Sequence, residues 1–100
     1  MEKFIYYNEL YLIYKGLLNE SEQDIFDLYY GDNLTMQEIA DNKAISKARV
    51  GIIIKNVEKK LDTYESVLKI YKQKDELNKL LELNNIDDIK NRINKIVKGE

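Results

Sequence analysis

The stretch that decides the reading is "LTMQEIADNKAISKARVGIIIKNVEKKL", residues 34–61. Thr35 followed by Glu38 is a capping box, the start signal of a helix. Ile39 and Ala40 are placed to pack, and "NKAI" at 42–45 makes a turn. Ser46 then caps a second helix. Two helices joined by three or four residues have the spacing of a helix-turn-helix. The small Ala40 allows a close crossing, Ile45 plugs the turn and Val50 anchors the second helix. A polar cap at Ser46 leaves early backbone amides facing solvent, where the helix dipole favours an anion such as phosphate. Lys47 and Arg49 occupy the first turn, where a recognition helix meets a groove. Lys43, Lys55 and Lys59 extend the same basic segment.

Around this core the chain is helical throughout. It has no proline, four glycines and long periodic apolar runs. The first helix is expected over about 2–18. Its stripes Phe4, Tyr7, Tyr11, Tyr14, Leu18 and Tyr6, Leu10, Ile13, Leu17 together cover more than half its circumference. Such a helix needs cover on two sides, from a core and from either more of the same core or a second subunit. A homodimer is therefore expected, with the first or the fourth helix at the contact. Asn19 or Ser21 caps a second helix over about 20–30, with Glu20, Glu22 and Asp24 in its first turn and Ile25, Leu28 and Tyr29 facing inward. "GDN" at 31–33 is a turn. In the fourth helix Val50, Ile54, Val57, Leu61, Tyr64, Leu68 and Tyr71 repeat at four and three, one seam held for six turns. The phase then slips to Ile70, Leu77 and Leu81, which predicts a break near 72–76. Asn84 and Asn85 end that element, and Ile86, Ile89, Ile93, Ile96 and Val97 define a last amphipathic helix. The expected organisation is one all-α domain over 1–100, with the helix-turn-helix at about 35–61 and a C-terminal helical extension at about 73–98.

Composition narrows the chemistry. The chain has no cysteine and no histidine, which removes disulfides, thiolate nucleophiles, zinc sites of the usual ligands and histidine bases. No cofactor, metal or catalytic residue is expected, and an enzyme is not. Carboxylate pairs such as Asp87–Asp88 and Asp24/Asp27 read as caps and solubilising charge. The eight tyrosines raise the possibility of base stacking, but their helical spacing favours core packing. No signal peptide is read and no run approaches the ~20 apolar residues of a membrane span, so a cytoplasmic protein without membrane insertion is expected. The formal net charge of −2 conceals an asymmetry: residues 1–42 carry −7, residues 43–60 carry +5, and residues 61–100 balance. The whole chain is a poor nonspecific nucleic-acid binder. The basic segment is either a site for one anionic partner or a solvated face.

"LNESEQDIFDLYYGDNLTMQEIADNKAISKARVGIIIKNVEKKL" resembles region 4 of bacterial sigma factors. With "NELYLIYKGL" before it and "YESVLKIYKQKDELNKLL" after it, the chain is similar to the YlxM family over nearly its whole length. The resemblance implies a small all-α fold with a sigma-region-4-like helix-turn-helix, DNA binding, and no catalytic residues. Because that family's gene usually lies beside the gene of the signal recognition particle GTPase, it also implies a role in that pathway, with the particle's RNA or its GTPase as partner. The abundance of Lys, Ile and Asn fits an AT-rich bacterial genome.

The resemblance fails at "GIII", residues 51–54. Ile52 lies about 200° around the helix from Val50, away from the seam. Bidentate base reading needs Arg, Asn or Gln there, whereas isoleucine contacts only a thymine methyl or another protein. Gly51 in a helix interior costs about 1 kcal/mol relative to alanine, which suggests a close backbone approach or drift. Three readings therefore stand: an adaptor or ribonucleoprotein binder using a basic, apolar helix; a DNA binder of low specificity; and a structural homodimer without ligand.

Overall fold

The computed structural model describes residues 2–83 and 85–99. The described residues form helices and no strands: α1 (Glu2–Tyr14), α2 (Glu20–Phe26), α3 (Met36–Lys43), α4 (Lys47–Leu68), α5 (Ile70–Leu80) and α6 (Ile86–Lys98). A 3-10 turn (Lys15–Leu17) ends α1 and a π turn (Asp27–Gly31) ends α2. Two compact units result, Met1–Leu68 and Lys69–Glu100. None of the described helices is long and apolar enough to cross a membrane.

The start signals act as their side chains dictate. Asn19, not Ser21, caps α2: its side chain accepts the Glu22 N–H at 2.8 Å while Glu22 accepts the Asn19 N–H at 3.0 Å. Thr35 and Glu38 form the same reciprocal box on α3. The amide of Thr35, bonded to the Glu38 carboxylate, holds that carboxyl below its ordinary range. Ala44 takes a left-handed conformation (φ 56°) after α3, and the Ile45 N–H reaches back to the Ala40 carbonyl at 3.1 Å. Ser46 Oγ accepts the Arg49 N–H at 3.0 Å and so caps α4.

The core of the first unit contains Leu10, Tyr11 and Tyr14 of α1, Ile25 and Phe26 of α2, Tyr30, Ile39 and Ala40, and Val50, Ile54, Val57 and Leu61 of α4. Much of what reads as surplus apolar surface on α1 is used inside this one chain, although Leu17 remains exposed. None of the eight tyrosines is exposed. The inward set of α2 differs from the expected one. Leu28 and Tyr29 are only half-buried, whereas Phe26 and Tyr30 are buried and stack at 4.3 Å. Phe26 lies in the regular part of α2, four residues after Glu22, and Tyr30 follows it by four, so the buried stripe is Glu22, Ile25, Phe26 and Tyr30. The i→i+5 bond from the Asp32 N–H to the Asp27 carbonyl widens the helix only beyond Phe26.

The α4 seam also ends earlier than its spacing predicts. The helix breaks at Lys69, which takes a left-handed conformation (φ 54°), and not at 72–76. Burial stops at Leu61; Tyr64 is half-buried, while Val67 and Leu68 are exposed. Tyr64 meets the end of α1 through the Tyr14 ring and the Leu17 carbonyl. Past that point α1 supplies no further surface, and helical stability comes mainly from packing. The Thr63 and Ser66 hydroxyls bond back to the carbonyls of Lys59 and Thr63, which weakens the last turns further.

In the second unit α5 and α6 pack on each other and bury no residue fully. Asn85 begins α6: its side chain accepts the N–H groups of Asp87 and Asp88. Asn84, expected to end the preceding element with it, lies outside the described residues.

Candidate recognition surface

α4 is held by tyrosines that engage its acidic residues. Tyr7 donates to Asp62 at 2.8 Å, Tyr14 to Glu65 at 2.7 Å and Tyr30 to Glu58 at 2.6 Å. Burial and the facing carboxylate push the Tyr7 hydroxyl up to about 12 and raise that of Tyr30 further. These hydroxyls therefore stay protonated and donating. Tyr11 likewise donates to Asp27 at 2.7 Å and fixes α1 on α2.

Two of the basic residues in 43–60 are also committed internally. Lys60 donates to Glu22 at 2.6 Å. Burial alone would raise the Glu22 carboxyl, but the bonds from Lys60 and the Asn19 amide outweigh it and hold the carboxyl below its ordinary range. Lys43 lies 3.6 Å from Asp24. Of the expected contact residues, Lys43 is thus tied to the acidic α2, which lowers its availability to an outside anion.

The rest divide by helical position. Ala48, Ile52, Lys55 and Lys59 follow spacings of four, three and four, so they share the outward face of α4, opposite Val50, Ile54, Val57 and Leu61. Ile52 is 52% exposed in the middle of that face. Lys47 and Arg49 are both exposed but lie on opposite flanks, about 200° apart. Lys47 is on the side of Gly51 and α3. Arg49 lines an open groove of about 620 Å³ with Asp24, Lys43, Ile45 and Ile53. Lys47, Arg49, Lys55 and Lys59 form no ion pair among the described residues. Asn56, exposed four residues after Ile52, belongs to the edge of this face and is absent from the expected set. The same periodicity that selects Ile52 would have found it.

Gly51 is not needed for packing within the chain. A Cβ built there meets only the Met36 sulfur, at 3.7 Å, an ordinary contact. The close internal approach that would explain this glycine is not there.

Chemically, the outward face offers Ala48 and one larger aliphatic side chain, Ile52, followed by two lysines, with a single amide at its edge. Ser46 satisfies the Arg49 amide and leaves those of Lys47 and Ala48 without an intrahelical acceptor. Such a surface can hold anions and an apolar contact. It has few groups for reading base edges.

Comparison with known sequences agrees with this architecture. The profile of a family described as "Putative helix-turn-helix protein, YlxM / p13 like" matches residues 1–99. A UPF0122 protein of Limosilactobacillus reuteri (strain DSM 20016) is 38% identical over 71 residues, which are 71% of this chain and 63% of that protein. A UPF0122 protein of Streptococcus pyogenes serotype M5 (strain Manfredo) matches with the same identity and coverage. The match thus spans less than two thirds of the length of these relatives. A helix-turn-helix built by two capping signals, in an all-α chain matched from end to end by this profile, places the protein in the UPF0122 family of YlxM/p13-like helix-turn-helix proteins.

Proposed function

We propose that this protein is a helix-turn-helix adaptor, without enzymatic activity, that docks α4 on a ribonucleoprotein partner. The observation that carries this reading is Ile52, half-exposed on the outward face and followed along it by Lys55 and Lys59. A base-reading helix needs Arg, Asn or Gln at that position, whereas an apolar residue followed along the same face by two lysines suits an anionic surface that also offers an apolar contact. The partner implied by the resemblance to the YlxM family is the signal recognition particle, through its RNA or its GTPase, and the protein then works in the cytoplasm.

A second reading is DNA binding of low specificity. It is favoured by the capped α4 terminus and by Lys47, Arg49, Lys55 and Lys59 being unpaired among the described residues. Homodimer formation is compatible with both and draws support from Ile5, Leu12 and Leu17, which remain exposed on and just after α1.

Electrophoretic mobility against the particle's RNA, its GTPase and random duplex DNA, at two salt concentrations, tests the proposal. The expected result is binding to the RNA or the GTPase in preference to duplex. Duplex binding with about 1,000-fold or greater discrimination over random sequence would overturn it.

A further inference from the structure

The α5–α6 hairpin carries one stripe twice. Ile70, Leu77 and Leu81 lie at i, i+7 and i+11, and Ile86, Ile93 and Val97 repeat that spacing. All six are exposed, Leu81 and Val97 at 85% and 80%. Lys74 and Lys90 occupy the same place in each stripe, four residues after its first member and three before its second. That position is on the stripe's edge. Two short helices of 11 and 13 residues that bury no residue fully have little to hold them folded by themselves.

α1 carries the complementary pattern. Its outward side, opposite Leu10 and Tyr14, shows Ile5 and Leu12, 59% and 58% exposed, with Glu9 four residues after the first and three before the second. Glu2 extends the same ridge. The stretches "IYYNELYL" (5–12), "IYKQKDEL" (70–77) and "IDDIKNRI" (86–93) thus share one register: apolar, charged, apolar, with an acid on α1 and a lysine on α5 and α6.

We propose that the α5–α6 hairpin of one copy docks on the outward ridge of α1 of a second copy, with Lys74 and Lys90 flanking Glu9, and that the contact is reciprocated. Charge selects this occupant. Hairpin against hairpin would set lysine rims together, and α1 against α1 would set glutamates together, whereas the crossed pairing joins opposite signs over matched apolar spacing. A two-fold axis makes both crossed contacts equivalent, which closes the assembly as a dimer.

The inference rests on the homodimer reading above and adds the surfaces that form it. Sedimentation equilibrium of the full chain at tens of micromolar is expected to give twice the 11.9 kDa mass. Glu9→Lys alone, or Lys74→Glu with Lys90→Glu, should each weaken the dimer about tenfold or more, and the triple variant should restore it. Lys74 and Lys90 are exposed and Glu9 is half-buried; helicity by circular dichroism, followed for each variant, should not change. The absence of native cysteine allows a second readout that does not depend on these variants. A Glu9→Cys chain mixed with a Lys90→Cys chain should form a disulfide-linked heterodimer under oxidation. A monomer overturns both the dimer reading and this one. A dimer indifferent to these charges, or lacking the heterodimer disulfide, overturns this one alone.

Discussion

Gly51→Ala separates structure from recognition at the residue that fits the fold least well. Gly51 lies in the second turn of α4, a regular helix from Lys47 to Leu68. Glycine there costs about 1 kcal/mol relative to alanine, because the unfolded chain loses more freedom on folding. The new methyl would touch only the Met36 sulfur at 3.7 Å, so no strain offsets the gain. Stability should rise by about 0.5–1 kcal/mol, which for a unit of this size is a rise of very roughly 2–8 °C in melting temperature. Urea denaturation followed by circular dichroism reads the change, and the transition slope should be unaltered. If the glycine admits the backbone of a partner, the same variant will be more stable yet bind more weakly. If it is drift, stability rises and binding is unchanged. A loss of stability would refute the packing argument, because it would mean that α3 and α4 approach more closely at Gly51 than the 3.7 Å contact indicates.

The remaining tests are simpler. Ser46→Ala removes the 3.0 Å bond to the Arg49 amide and should cost about 1 kcal/mol, read by denaturation, while weakening any anion held at the α4 terminus. Binding assays on the recognition face should rank Ile52→Asn above the joint replacement of Lys47 and Arg49 by alanine, since a desolvated apolar anchor outweighs flank charges. If phosphate contacts dominate, the order reverses, and losing the two charges lowers the log–log salt slope by up to about 2. The Glu22 carboxyl is depressed in the folded state, so its contribution is present above the ordinary carboxylate range and lost as pH falls through its folded value. Acid titration of stability should therefore be shallower in Glu22→Gln; an unchanged profile would show that the Lys60 bond contributes nothing.

Local chemistry by itself determined much of this protein. The Thr35 and Ser46 caps are written in single residues, because a cap needs only its own first turn, whereas for α2 both Asn19 and Ser21 were open until the Glu22 amide bonded to Asn19. The α4 core residues follow from helical period alone, and so does the outward position of Ile52. Three features were decided by tertiary structure. The inward face of α2 runs through Phe26 and Tyr30 in place of Leu28 and Tyr29, because the α1 aromatic Phe4 stacks on Tyr30 and Tyr30 on Phe26. The α4 seam stopped at Lys69 because α1 ends beside Tyr64, and an apolar period holds a helix only while there is a surface to receive it. The charge of the recognition face was settled by partners remote in sequence: tyrosine hydroxyls engaged Glu58, Asp62 and Glu65, and the acids of α2 took Lys43 and Lys60. A count of charges along the chain is blind to that sorting, since which charges neutralise one another depends on distances that only the packed helices set.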